Sequence, residues 1–210
     1  MIKFIQRLLN EKNKFSSQSG QDQFAYNLSG NHGTYLEIGA NHPQIYSNTW
    51  NLENYCHWTG ISVEMDQSFR ESWEQNFKRK NLILWQDAFA VDYLKVIQEN
   101  NFSTRFNYLS CDIDPAPQTL KILKHLIHLK LTFDFISFEH DSYKEGNKYK
   151  DEALFFLRGH GYKPVVDDVY PRNKKNKFFE TWFVYKDIEL DFCKYDEWKR
   201  KHYSLAKFYK

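Results

Sequence analysis

Apolar runs and polar spacers alternate along the chain and predict an ordered series of helices and strands. Ile2, Ile5, Leu8 and Leu9 share one side of a short amphipathic helix reaching Lys14. Residues 16–20 break it, and Ser19 with Asp22 three positions on predicts a capped helix through Leu28. After the turn Gly30-Asn31-His32-Gly33, residues 34–38 form an apolar run ending at Gly39. From there strand-like and helix-like segments take turns. Residues 61–63 precede a helical stretch from Gln67, and 82–84 precede 91–99. Residues 106–113 precede 119–129, where Leu120, Leu123 and Ile127 make a helical stripe, and 133–138 precede 151–157.

This alternation is the pattern of an α/β protein, an open and mostly parallel sheet with helices on both faces. The end of the series differs. Residues 162–169 and 181–185 are strand-like and are joined by the polar, basic stretch 171–177 with no helix between them. Two strands without a crossover helix are expected to be antiparallel. The chain divides into a helical lead-in over 1–30, one α/β domain over 31–190, and a basic, aromatic tail over 191–210. In the tail Tyr195, Trp198, Tyr203 and Phe208 alternate with lysines, as a docking arm or partner surface would.

Composition narrows the class. Phe, Tyr and Trp number 18, 14 and 6 and make up 18% of the residues. They supply large buried area to a chain whose mean hydropathy is only −0.73. Lys and Arg number 29 against 27 Asp and Glu, a net charge of +2, so no strong field favours nucleic acid or anionic lipid. Cys56, Cys111 and Cys193 are far apart and form no C-x-x-C pair, so neither a disulfide framework nor a structural zinc is expected. A reducing, cytoplasmic setting follows as the expectation. No apolar run approaches the ~18 residues of a spanning helix, so no membrane anchor is expected.

Ligands of doubly wound sheets bind outside the carboxyl ends of the strands. The first strand ends Leu36-Glu37-Ile38-Gly39-Ala40-Asn41-His42-Pro43, where Gly39 and Ala40 let backbone come close to a ligand. The dinucleotide fingerprint G-x-G-x-x-G is absent, which disfavours a pyrophosphate. The second strand ends at Glu64, followed by Asp66, and an acidic side chain there can accept hydrogen bonds from both hydroxyls of a ribose. An adenosine-bearing ligand without a diphosphate fits both features.

Leu36–Pro43, then Ser47-Asn48-Thr49, Glu53 and Trp58-Thr-Gly-Ile-Ser-Val-Glu64, resemble the first half of an FkbM-type methyltransferase. Ser19-Gly-Gln-Asp22 upstream is similar to that family's lead-in. Tyr108-Leu-Ser-Cys-Asp-Ile-Asp114, Phe135-Ile-Ser-Phe-Glu-His140 and Gly161-Tyr-Lys163 follow in the family's order. The resemblance spans about residues 17–185 and implies an S-adenosylmethionine-dependent O-methyltransferase acting on a hydroxyl of a sugar, glycan or other small acceptor. It also implies a Rossmann-like seven-stranded sheet with the last strand antiparallel.

By position, Glu37, Gly39, Ala40 and Asn41 would line the methionine part of the cofactor, and Glu64 would hold the ribose. Asp87 and Ala88 would meet the adenine, although Asp87 is equally suited to capping a helix. Ser47 and Asn48 suit a helix cap at least as well as a ligand contact. Asp112 would face the sulfonium and the acceptor. The family places Asp-x-Glu-Gly after the fourth strand, where this chain has Asp112-Ile-Asp-Pro-Ala-Pro117. That departure keeps open a cofactor-binding relative that transfers no methyl group. After the fifth strand stands Glu139-His140-Asp141. His140 or Asp114 would serve as the catalytic base for a hydroxyl acceptor. The same acids could instead hold Mg²⁺ and lower the hydroxyl pKa by charge, or His140 and Asp141 could simply form a polar turn.

Overall fold

The computed structural model describes residues 15, 17–76, 78–171 and 177–190. The expected helix before Lys14, most of the basic loop and the aromatic tail lie outside these residues. Strand β1 (Thr34–Ile38), β2 (Thr59–Glu64), β3 (Leu82–Trp85), β4 (Arg105–Cys111) and β5 (Thr132–Glu139) are mutually parallel. Strand β6 (Tyr162–Val169) and β7 (Glu180–Tyr185) pair antiparallel, and β7 also pairs antiparallel with β5. The seven strands run in the order β3-β2-β1-β4-β5-β7-β6. The chain therefore builds outward from β1 to one edge and then returns through β4 to the other.

Helices α1 (Gln21–Ser29) and α2 (Trp50–Cys56) cover one face, where Phe24 packs 4.7 Å from Phe135 and 5.0 Å from Trp182. Helices α4 (Tyr93–Glu99), α5 (Ala116–His128) and α7 (Lys148–Gly159) cover the other. Between these stand the one-turn α3 (Arg70–Glu74) and α6 (Ser142–Glu145). Both faces of the strands are thus buried, which is why the parallel strands read as nearly continuous apolar runs. Leu36, Ile38, Leu109, Cys111, Ile136 and Phe138 face α4, α5 and α7. Tyr35, Tyr108, Phe135, Trp182 and Cys56 belong to the opposite core. The two buried thiols, Cys56 and Cys111, are therefore separated by the sheet.

The α1/α2 face carries an unexpected polar row. Ser62, Glu37, Ser110, Ser137 and Trp182 are register partners across five adjacent strands, all buried. Within the row Ser62 Oγ donates to Glu37 Oε2 at 2.7 Å, and the Ser137 hydroxyl lies 2.8 Å from that of Tyr108.

Local details depart from expectation for physical reasons. Ser19 does not cap α1; Gly20 occupies the cap with φ 90°, and Asp22 accepts from the Ser17 amide (3.1 Å) and hydroxyl (2.5 Å) instead. Helix α4 begins at Tyr93 because Asp92 caps it, accepting from the Lys95 amide at 3.2 Å. Helix α5 begins earlier than expected: Pro117 sits in its first turn, where no amide hydrogen is needed. Among the described residues no helix is long and apolar enough to cross a membrane.

Candidate active site

The strand order reverses between β1 and β4, and a cavity of about 540 Å³ opens at the carboxyl ends there. That volume lies in the range of small-molecule sites. It is bounded by Gly39 and Asn41 after β1, Glu64, Met65 and Asp66 after β2, and Gln86 to Phe89 after β3. Asp112 and Asp114 after β4, Gln118 on α5 and Glu139 at the end of β5 complete it.

Gly39 is a steric requirement. Its φ is 81°, and a β-carbon there would stand 1.7 Å from the Asp112 carbonyl oxygen. The Gly39 and Ala40 amides both donate to the Val63 carbonyl, at 3.0 and 3.1 Å, which closes the chain over the end of β2. Asn41 follows with φ 52° and donates its amide to Glu64 Oε2 at 2.7 Å. The other Glu64 oxygen accepts the Asp66 amide at 2.7 Å. Each oxygen keeps a further lone pair for a ligand hydroxyl. At the next strand end Asp87 caps the short turn Ala88–Ala90, accepting from the Phe89 amide at 2.8 Å, while it also lines the cavity. Capping and ligand contact are therefore compatible for this side chain.

The far side is a carboxyl pair. Asp112 and Glu139 are hydrogen-bonded to each other where burial disfavours charge on both. Asp112 is pushed up to about 6 by burial and Glu139 is pushed well above the usual carboxylate range, so the pair shares a proton near neutrality. Glu180, the register partner of Glu139 on β7, is raised to about 7, again chiefly by burial. Gln21 Nε2 donates to its Oε2 at 2.8 Å. The Asp112–Pro117 loop is braced from α5: the Ile113 amide donates to Thr119 Oγ1 at 3.2 Å, and that hydroxyl donates to the Ile113 carbonyl.

The cavity brings together Gly39, Asn41, Glu64, Asp87, Ala88, Asp112 and Asp114. Ala40 is buried behind the loop and does not line it. Glu37 lies in the buried polar row instead. It accepts from Thr49 Oγ1 (2.9 Å), Ser62 Oγ (2.7 Å) and Arg79 (3.3 Å), and its pKa is raised by burial against the pull of Arg79.

His140, expected as a base, is fully buried and both ring nitrogens are engaged. Thr181 Oγ1 spends its hydrogen on Asp167 at 2.9 Å, so His140 Nε2–H must donate to Thr181 at 3.0 Å. Nδ1 accepts the Ser142 amide at 3.2 Å. Burial, with Lys150 nearby, drives the imidazole down to about 3. His140 does not line the cavity, and its buried, fully hydrogen-bonded ring is disfavoured as the base there. Asp141 is paired with Lys144 at 2.5 Å. Among the described residues no group of three or more His, Cys, Asp and Glu side chains is disposed to hold a metal ion.

Thr49 occupies the cap of α2, Ser47 Oγ just before it accepts from the Thr49 and Trp50 amides at 3.3 and 3.1 Å, and Asn48 donates to Ser110 Oγ at 3.0 Å. Phe69, Phe89 and Gln118 are cavity residues that sequence reasoning missed. Each lies within six residues of a strand end or loop already singled out, but none belongs to a motif. A larger concavity of about 840 Å³, lined by Lys124, Phe155 and His160 among others, lies on α5 and α7 and takes in no strand end.

No protein-family model and no curated protein matches the chain. Solved structures do match. One is a Streptococcus pneumoniae protein assigned as a tRNA (m1A22) methyltransferase, in complex with S-adenosyl-L-methionine: TM-score 0.54, 14% identity, 82% of this chain and 75% of that one. A second is an O-methyltransferase from Bacillus cereus in complex with SAH: TM-score 0.50, 17% identity, 80% of each chain. A third is spermidine synthase from Thermotoga maritima: TM-score 0.51, 13% identity, 93% of this chain and 69% of that one. These likenesses show a shared Rossmann-like fold.

Proposed function

We propose that the protein is an S-adenosylmethionine-dependent methyltransferase of the FkbM type, transferring a methyl group to a hydroxyl of a sugar or other small acceptor. The observation that carries this reading is the single cavity edge where Gly39, Glu64, Asp87 and the Asp112–Glu139 pair converge. The donor set suits the cofactor: acceptor oxygens at the ends of β2 and β3 for hydroxyl and amino groups, apolar Phe69, Ala88 and Phe89 between, and no diphosphate cradle. When bound, the cofactor supplies an electrophilic methyl on a sulfonium.

The chain's own residues would do the rest. Glu64 accepts from the ribose hydroxyls through the lone pairs its two amide bonds leave. Asp87 accepts from the adenine amino group through the carboxylate it already presents to the cavity. At the other side the Asp112–Glu139 pair, holding one proton between two carboxyls, carries a single negative charge near neutral pH. Its ionised member takes the acceptor's hydroxyl proton as the new bond forms, and a base titrating near 6 is well matched to that task. Asp114, exposed at the rim, orients the acceptor hydroxyl.

The charge of the walls supports a small, non-phosphorylated acceptor. Among the described residues, six carboxyl side chains line the cavity (Glu64, Asp66, Asp87, Asp112, Asp114, Glu139) and no Lys, Arg or His does. Nucleic acid would bring phosphates toward those acids. The test is to incubate the full chain with S-adenosylmethionine and a panel of sugars and glycosides and follow release of S-adenosylhomocysteine. Turnover that Asp112→Asn abolishes supports the reading. Cofactor binding with no turnover on any hydroxylated acceptor would favour a binding protein of the same fold.

A further inference from the structure

Asn41 is the residue at which the cavity meets a buried ionic centre on the other side of β1. Both of its backbone polar groups are tied. The amide donates to Glu64 in the cavity wall, and the carbonyl accepts the indole N–H of Trp73 at 2.8 Å. Its φ of 52° is left-handed, a conformation that asparagine tolerates but that still needs holding in place.

Trp73, buried on α3, does not line the cavity, and what fixes its ring is Arg79. The guanidinium carbon lies 4.3 Å from the ring centroid, and Trp85 meets the ring edge-on at 6.3 Å. Arg79 is itself held on every side. It pairs with Glu37 and with Glu53, both at 3.3 Å, and donates to Thr49 at 3.0 Å and Ser62 at 3.2 Å. Glu53 also accepts the backbone amides of Lys80 and Asn81, so the chain on which Arg79 stands is anchored to α2. Only a planar, five-donor guanidinium can serve two carboxylates and two hydroxyls while laying its face on an indole.

We propose that Trp73 and Arg79 are positioning residues for the cofactor: through the Asn41 carbonyl they hold the loop after β1 so that its amide fixes the Glu64 carboxylate toward the ligand. This rests on the cofactor reading above. It also gives Glu37 a task away from the cavity, as one of the two carboxylates that orient Arg79.

Trp73→Phe keeps an aromatic face for Arg79 and deletes the one donor. The full-length variant is compared with wild type by titration with S-adenosylhomocysteine and by amide hydrogen exchange without ligand. The expected result is affinity weakened about five-fold, as for one lost hydrogen bond, with faster exchange confined to the loop around Asn41. Steady-state kinetics should show KM for S-adenosylmethionine raised and kcat unchanged. Equal affinity in the variant and wild type would overturn the positioning role while leaving the cofactor reading intact. So would faster exchange spread through β1 and β4, which a purely structural tryptophan would produce. Wild-type protein that binds no S-adenosylhomocysteine would remove the parent reading itself. Arg79→Lys is the second variant: it keeps the charge beside Glu37 and Glu53 but not the planar contact, and the same loop-confined change is expected.

Discussion

The α-carbon of Gly39 lies against the carbonyl of Asp112 so closely that a β-carbon would stand 1.7 Å from that oxygen. Two strand ends that supply opposite walls of the cavity are thereby locked at one separation. Gly39→Ala must push backbone against backbone in a conformation that side chains disfavour. It is expected to cost about 3 kcal/mol of stability in denaturant unfolding. A cost under about 1 kcal/mol would show that the two ends can part freely.

On the proposed reading, the Asp112–Glu139 pair sets the acid limb of activity. Asp112 is raised to about 6, so the pair loses its charge as pH falls through that value. Methyl transfer should fall about tenfold per pH unit below 6 and level off above it. Asp112→Asn should lower kcat about 10²- to 10⁴-fold and abolish the limb, with S-adenosylhomocysteine still bound. A rate that is independent of pH between 5 and 8 in the wild type would exclude this base.

Glu180 makes stability fall with rising pH. Its carboxyl is raised from 4.5 to about 7, so the folded protein holds a proton there that the unfolded chain has released. The stabilisation is complete below about 4.5 and is lost as pH rises through 7. Subtracting the wild-type stability curve from that of Glu180→Gln should therefore give a difference that climbs between those values. A flat difference would mean that the carboxyl is ionised throughout.

His140 behaves in the opposite sense. It is neutral in the fold down to about 3, whereas an unfolded histidine protonates near 6.5. Its contribution is present above 6.5 and is lost as pH falls toward 3. His140→Gln should destabilise the protein by about 1–3 kcal/mol at pH 7, by orphaning partners such as Thr181, and leave cofactor affinity unchanged. A variant of full stability with no transfer would return His140 to the catalytic set.

Much of the fold was legible because the strands are apolar runs, and β1, β2, β4 and β5 each close on a glycine or an acid. Thr34–Ile38 and Tyr162–Val169 have the bounds their patterns indicate. Strand-end chemistry was legible too: Gly39, Glu64, Asp87 and Asp112 each follow a recognisable run and meet in one cavity. What escaped depends on long-range partners. Glu37 is drawn off by Arg79, forty-two positions away, through an unpatterned segment. His140 is held by Phe179 and Thr181, just before and on a strand that returns from the far edge, and its tripeptide carries no mark of that. The Glu139–Glu180 juxtaposition likewise exists only through the β5/β7 register.

The most direct measurement is calorimetric titration of the full chain with S-adenosylhomocysteine at pH 7.5, run in parallel on Glu64→Ala. Saturable binding at one site in the wild type, weakened at least about tenfold in the variant by loss of the ribose acceptor, is the expected result. Folded wild-type protein that gives no binding heat at millimolar ligand, or a Glu64→Ala variant that binds as tightly as wild type, would contradict the assignment of this cavity to the cofactor.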